Sequence, residues 1–367
     1  MTHKHRPVHV VGVGMIQFTK PGTSEPYNVM GARAVKLALE DARLDYALVE
    51  QAYVGYVYGD STAGQAAMYQ VGLSGIPVFN VNNSCATGPS ALFLARQAVE
   101  SGAVECAVAL GMDQMVPGAL KGAFDDRPSP MQRFAETMTA HQGYEPQTPR
   151  AAQFFGGAGR DYMAQYGTKP ETFGRISVKA RQHAARNPLA VFRQVLSLEE
   201  VMASPKVFDP LTRYQCCPPT CGAAAAIVCS ADFARKHGLD MSVVIAAQAM
   251  TTDTPASFES NDMRKLVGYD MTVDAVKWVY ERAAIGPEDV DVIELHDCFT
   301  ANELISYEAL GLTAPGTAEK FVLDGDNTYG GRYVVNPSGG LLSKGHPLGA
   351  TGLAQCAELV WQLRGQA

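Results

Sequence analysis

One cysteine stands among small and polar residues in Asn82-Asn83-Ser84-Cys85-Ala86-Thr87-Gly88-Pro89-Ser90. The apolar run "IPVFNV" precedes it and "SALFLARQAVESG" follows, which reads as a strand end meeting a helix start. A thiol at that junction faces unpaired backbone N–H groups and the positive end of the helix dipole. Such a setting predicts a lowered thiol pKa and a ready nucleophile. Two later segments supply matching groups: His296-Asp297-Cys298-Phe299 and the histidine of "SKGHPLGATG", His346. Together Cys85, His296, Cys298 and His346 suit acyl transfer with making or breaking of a carbon–carbon bond. Cys85, activated by the imidazole of His346, would attack a carbonyl and carry the acyl group as a thioester. Cys298 would move a proton at the carbon beside the other thioester. His296, with the backbone N–H of Cys85, would stabilise the oxyanions, where one preorganised donor is worth about 3 to 4 kcal/mol.

An internal duplication explains how such distant segments could meet. Residues 34 to 58, "AVKLALEDARLDYALVEQAYVGYVY", align without gaps on 275 to 299, "AVKWVYERAAIGPEDVDVIELHDCF". A second pair follows in the same order, "ATGPSALFLARQAVESG" from Ala86 and "ATGLAQCAELVWQLRGQ" from Ala350. Two matched elements imply two similar βα halves about a pseudo-twofold axis. If the paired helices lie side by side, Cys85 and His346 converge at two helix N-termini. In the matched strand, Gly55 and Val57 give way to His296 and Cys298, at the carboxyl end where open α/β sheets place their ligands.

The N-terminal half is assigned to residues 1–114 and 218–235, closed by "CGAAAAIVCS" as a buried strand. Residues 115–217 have no counterpart in the other half and read as an inserted loop domain over the reactive face, with helices in "RISVKARQHAARN" and "SLEEVMAS". Residues 236–367 form the C-terminal half. Its last strands, equivalent to "VECAVALGMDQM", are expected in a longer natural chain. Lys179, Arg181 and Arg186 recur on one face of the insertion, where they could seat phosphates or form a solvated charged surface.

At 367 residues, with 47% hydrophobic and 18% charged residues and 35 glycines, the chain has the makeup of an α/β enzyme. A net charge of −7 offers no general attraction for nucleic acid or anionic membranes. The eight cysteines show no framework spacing, which suggests a reducing compartment. "CCPPTC" at 216–221 lacks a second Cys/His pair at zinc-finger distance, so no metal is assigned. No run of about 18 apolar residues exists, and "MTHKHRPVHVVGVG" enters a strand without a signal peptide. Cytoplasm is the expected location, with an organelle matrix such as the peroxisomal one as the alternative. His141, His183 and His237 are read as residues of polar loops or helix faces.

The motifs "NNSCATG", "HDCF" and "NPSGGLLSKGHPLGATG", with the duplicated halves, resemble the thiolase superfamily, and "HDCF" resembles its sterol-carrier-protein-2 type. The likeness runs over essentially the whole chain, including "GYVYGDSTAGQAAMYQ" and "GDNTYGGRYVVNPSGG". It implies a five-layered αβαβα thiolase fold, acyl-CoA thioester substrates, coenzyme A as co-substrate with no tightly bound cofactor, and a homodimer. Carried over by position, Cys85 matches the acyl-accepting nucleophile, His346 its activator, and His296 and Cys298 the oxyanion histidine and the acid/base cysteine. Asp297 is expected to orient that loop. Cys221 departs from the family's usual aspartate before "GAAAA". The implied reaction is thiolysis of 3-ketoacyl-CoA or its reverse. The alternatives are a thiolase-like retro-aldolase acting on steroid side-chain thioesters, whose relatives carry tyrosines in place of His296 and His346, and a non-catalytic lipid-binding homologue.

Overall fold

The computed structural model describes residues 6–117, 124 and 126–367; the first five residues and part of the expected insertion lie outside it. In the first part of the chain the order is β1 (Val8–Met15), α1 (Tyr27–Ala42), β2 (Gln51–Gly55), α2 (Ala63–Met68), β3 (Val78–Val81), α3 (Thr87–Glu100) and β4 (Cys106–Asp113). Then come the helices α4 (Gln132–Gln142), α5 (Arg150–Tyr166), α6 (Pro170–Ala184) and α7 (Leu198–Ala203), a small hairpin of β5 (Lys206–Phe208) and β6 (Leu211–Thr212), and β7 (Gly222–Ser230). The remainder runs α8 (Ala231–His237), α9 (Pro255–Glu259), α10 (Met263–Leu266), α11 (Tyr269–Ala283), β8 (Val292–Ile293), α12 (Thr300–Ala309), α13 (Ala318–Leu323), β9 (Val334–Val335), α14 (Gly340–Ser343) and α15 (Thr351–Arg364).

Five strands form one mixed sheet in the order β1-β7-β4-β2-β3, with β7 antiparallel to both neighbours and β4, β2 and β3 parallel. Every residue of β7 is buried. Its alternation divides the core: Ala223, Ala225, Ile227 and Cys229 join the cluster under α1 and α2. Ala224, Ala226 and Val228 join the cluster under α3 and α15. A strand buried on both faces reads as a continuous apolar run, as this one does. Small residues let helix and sheet approach closely. A Cβ on Gly14 would come within 2.3 Å of Ala34 O, and one on Gly111 within 2.1 Å of Gly349 O.

The duplication is visible in detail. α1 and α11 both end on a residue in the left-handed conformation, Arg43 and Ala284, at matched positions. A single 3₁₀ turn then leads to β2 in the first half, Tyr46–Leu48, and to β8 in the second, Pro287–Asp289. The two Ala-Thr-Gly helices, α3 and α15, touch at their N-termini, because a Cβ on Gly352 would strike Pro89 and one on Gly88 would strike Gly349 O.

In the second half the strand expected to carry His296 and Cys298 is shorter than its counterpart. Only Val292 and Ile293 pair, in parallel with Val334 and Val335 of β9. His296 and Cys298 therefore stand on the irregular segment just past the strand end. The helices of 132–203 pack with α12, α13 and the segment around Leu295 into a separate apolar cluster. Among the described residues, no helix is long and apolar enough to cross a membrane.

Candidate active site

Cys85 lies two residues before α3, after Ser84, which adopts a positive φ of 49°. His346 lies five residues before α15, in a turn whose backbone bridges to Pro219. His296 stands on the segment after β8. These three elements bring Cys85 Sγ and one ring nitrogen of each histidine within 4.8 Å of one another. The imidazoles of His296 and His346 meet edge to face with centroids 5.0 Å apart.

The proton on His346 is assigned by its neighbour. Thr351 Oγ1 donates to Pro347 O at 2.9 Å, so toward Nδ1 of His346, 2.7 Å away, the hydroxyl is left to accept. Nδ1 then carries the hydrogen and Nε2 presents its lone pair. Nε2 is buried and has no hydrogen-bond partner, as a base awaiting a proton would. Thr351 is the threonine of the second Ala-Thr-Gly; its counterpart Thr87 instead accepts from Asn83 N–H and donates to Ser84 O.

Burial corrects the expected lowering of the Cys85 pKa. It pushes the Cys85 pKa up rather than down; a hydrogen bond with Ser84 works the other way, and the charge of Asp113 adds to the rise. The N–H groups of Ala86 and Thr87 at the start of α3 are already spent on Asn83 O and Ser84 O. The resting pair is therefore a neutral thiol beside a neutral imidazole. Cys298, fully desolvated and near Cys217 and Cys85, is held well above the ordinary thiol range and not near the operating pH. Burial lowers His296 to about 4, and burial, His296 and Lys344 push His346 well below 6.5.

Apart from Asp297, the supporting groups escaped the sequence reading. "CCPPTC", set aside there as a failed metal motif, is a strap between the two histidine segments. Cys216 pairs across an antiparallel bridge with Phe299, Cys217 N–H donates to Cys298 O at 2.8 Å, and Thr220 Oγ1 accepts from His346 N–H. Asp113, at the end of β4, accepts from Val57, Tyr58 and Gly349 N–H, joining the halves, and burial raises its pKa to about 6. Asp297 accepts from Leu341 and Leu342 N–H, which orients the His-Asp-Cys segment as expected, and burial raises its pKa to about 8.

Glu294 and Lys344 each stand two residues before a histidine of the site. They form a buried pair at 3.2 Å, and Glu294 also accepts from Ser338 N–H and Oγ. The signal was spacing alone: an acid and a base equally placed before two histidines. Lys344→Met leaves Glu294 buried and unpaired and is expected to cost about 3 to 5 kcal/mol, read by chemical denaturation. The double variant Glu294→Leu/Lys344→Met is expected to recover most of that stability. It should lower kcat with little change in KM, and its acid limb should move to higher pH, because the Lys344 charge no longer disfavours the His346 imidazolium.

The expected phosphate seat is not present as drawn. Lys179 is buried in an ion pair with Glu303 and donates to Val335 O. Arg181 is buried with its guanidinium over the rings of Phe192 and Tyr214. On α6 the apolar face is turned inward and takes both cations with it; only Arg186, beyond the helix end and over Tyr329, is exposed. His183 is likewise in the interior, bonded to Asn336 O and Thr328 Oγ1. His141 pairs with Asp161 at the surface of the helical insertion.

A duplicated α/β scaffold with a cysteine and a histidine before its paired helices, and a second histidine beside them on the segment after β8, defines the class. The chain belongs to the thiolase family: residues 8–232 match the family model "Thiolase, N-terminal domain" and residues 254–367 match "Thiolase C-terminal domain-like". It is 53% identical over 364 residues to sterol carrier protein 2 of Oryctolagus cuniculus, covering 98% of this chain and 66% of that one, so it spans about two thirds of that relative. An Ltp2-ChsH2(DUF35) aldolase structure shares 25% identity with a TM-score of 0.81, over 98% of this chain and 90% of that one. The human mitochondrial 3-ketoacyl-CoA thiolase in complex with CoA has the same fold, with a TM-score of 0.73 and 18% identity over 98% and 92% of the two chains.

Proposed function

We propose that the protein is a 3-ketoacyl-CoA thiolase of the sterol-carrier-protein-2 type, cleaving its substrate with coenzyme A or running the reverse condensation. The observation that carries this reading is the convergence of Cys85 Sγ with a ring nitrogen of each of His296 and His346, the latter with an Nε2 that has no hydrogen-bond partner. In the cleaving direction Cys85 passes its proton to His346 Nε2 as sulfur attacks the 3-keto carbon. The neutral His296 donates to an oxyanion. The C2–C3 bond then breaks, its electron pair leaves on C2, and the Cys298 thiol protonates that carbon. A thiol held high in pKa is fully protonated and suited to that step. Coenzyme A attacks the acyl-Cys85 thioester while Cys298 recovers a proton from the incoming thiol, and as the bond from the acyl carbon to Cys85 breaks, His346 returns its proton to the departing sulfur.

Iodoacetamide labelling tests the nucleophile. Cys85 should react faster than Cys106 or Cys356 at neutral pH; equal rates would favour a non-catalytic lipid carrier. Cys298→Ala is expected to keep acyl-enzyme formation from an activated acyl thioester while slowing 3-ketoacyl-CoA turnover about 10²- to 10⁴-fold. Burst kinetics resolve the two steps, and undiminished turnover would remove Cys298 from the mechanism. The two histidines disfavour the retro-aldolase reading despite the aldolase likeness.

A homodimer belongs to the same proposal. β3 is the edge of the main sheet, with Phe79 and Asn80 exposed, and an unpaired edge is a template for a second strand. A reducing compartment, cytoplasm or peroxisomal matrix, is proposed with it, on the strength of eight free cysteines.

A further inference from the structure

The acyl-transfer centre is also a set of metal donors. One sulfur and two ring nitrogens lie within 4.8 Å of one another, and Nε2 of His346 is buried with no hydrogen-bond partner. Thr351 holds the other nitrogen of that ring, the kind of outer hydrogen bond that fixes a metal-binding histidine. Zinc takes thiolate sulfur at about 2.3 Å and imidazole nitrogen at about 2.0 to 2.1 Å, tetrahedrally, so its ligand atoms stand about 3.3 to 3.6 Å apart. Closing the triangle by roughly 1 Å lies within the reach of Cys85 and His296 side chains, both partly exposed. Three protein donors leave a fourth position for water.

Other candidates are weaker. In "CCPPTC", Cys216 Sγ points to Thr212 O and Cys221 Sγ to Met115 O, so those sulfurs diverge. Asp113 spends its oxygens on backbone N–H groups, which leaves no oxygen set for Mg²⁺ or Ca²⁺.

We propose that Cys85, His296 and His346 form a binding site for Zn²⁺, and that the bound ion inhibits acyl transfer by occupying the nucleophilic sulfur and Nε2 of its base. On binding, the thiol proton leaves to solvent and the sulfur–zinc bond forms with no change of oxidation state. The inhibition half of this inference rests on the nucleophile reading of Cys85; the binding half rests on geometry alone.

The test uses the whole chain freed of metal by a chelator. Zn²⁺ is titrated in competition with a chromophoric chelator, and Cd²⁺ serves as a probe through its thiolate charge-transfer absorbance. One equivalent is expected to bind, to shield Cys85 from iodoacetamide and to be removed by EDTA. Binding should be lost in Cys85→Ser and His346→Ala, weakened about 10- to 100-fold in Thr351→Val, and unchanged in Cys217→Ser and Cys221→Ser. Circular dichroism confirms that each variant is folded; Thr351→Ser, which keeps the hydroxyl, should restore affinity. Absence of stoichiometric binding, or binding that survives Cys85→Ser, would overturn the site. Should Cys85 alkylate slowly even without metal, the thiolase reading fails independently of the zinc result.

Discussion

Cys85→Ala is expected to lower kcat for 3-ketoacyl-CoA thiolysis by on the order of 10⁶-fold, the scale seen when a covalent nucleophile is removed. No other described thiol can substitute. Cys298 and Cys217 are both held well above the ordinary thiol range by burial, and neither sulfur belongs to the cluster that Cys85 forms with the two imidazoles. Mass spectrometry of the protein mixed with acyl-CoA should show one acyl adduct on the parent chain and none on the variant. Stability should change little, since Cys85 is only partly buried and the methylene that packs against the core is retained. An acyl adduct on Cys85→Ala, or turnover within tenfold of the parent, would sink the assignment.

His346→Ala is expected to cost about 10³- to 10⁴-fold in acyl-enzyme formation, near the upper range for a general base. The resting thiol makes this base indispensable, because Cys85 does not ionise unaided. Thr351→Val should fall between parent and His346→Ala, since it removes the oxygen that fixes the proton on Nδ1 while leaving the ring. The pH dependence follows with its sign. Burial favours neutral imidazole in the fold, with His296 held at about 4 and His346 well below 6.5. The rate of acylation should therefore stay level as pH falls from 7 to about 5, where an exposed histidine would already have become charged. Because these folded pKa values lie below the unfolded value near 6.5, their contribution to stability is complete above that pH. It is lost as pH falls from about 6.5 toward 4. Stopped-flow acylation and denaturation midpoints across pH 4 to 8 check both statements. An acid limb at 6.5 for acylation would show that the histidines are not desolvated.

Much of the site was legible because duplication leaves a record in one dimension. The αL residues Arg43 and Ala284 and the 3₁₀ turns after them fall at matched positions of the aligned segments. The two Ala-Thr-Gly sequences mark the helix starts that touch. Turn chemistry and helix starts are local, so residue order carries them. The charged face of α6 was misread because periodicity places Lys179 and Arg181 on a stripe without saying which stripe is buried. Glu303, far along the chain, supplies the partner that allows Lys179 to be inside. For the strap of Cys216 to Thr220, no local pattern announces a segment whose role is to bridge two other loops.

By itself the sequence determined which cysteine and histidines converge, the α/β class and the family, because each is written in residue identity, short-range spacing or repetition. Only the tertiary structure decided the protonation of those groups: the neutral thiol, the Nδ1–H tautomer of His346, the buried Glu294–Lys344 clamp and the raised pKa of Cys298. Proton affinity is set by desolvation and by charges a few ångströms away, and those neighbours are drawn from segments hundreds of residues apart.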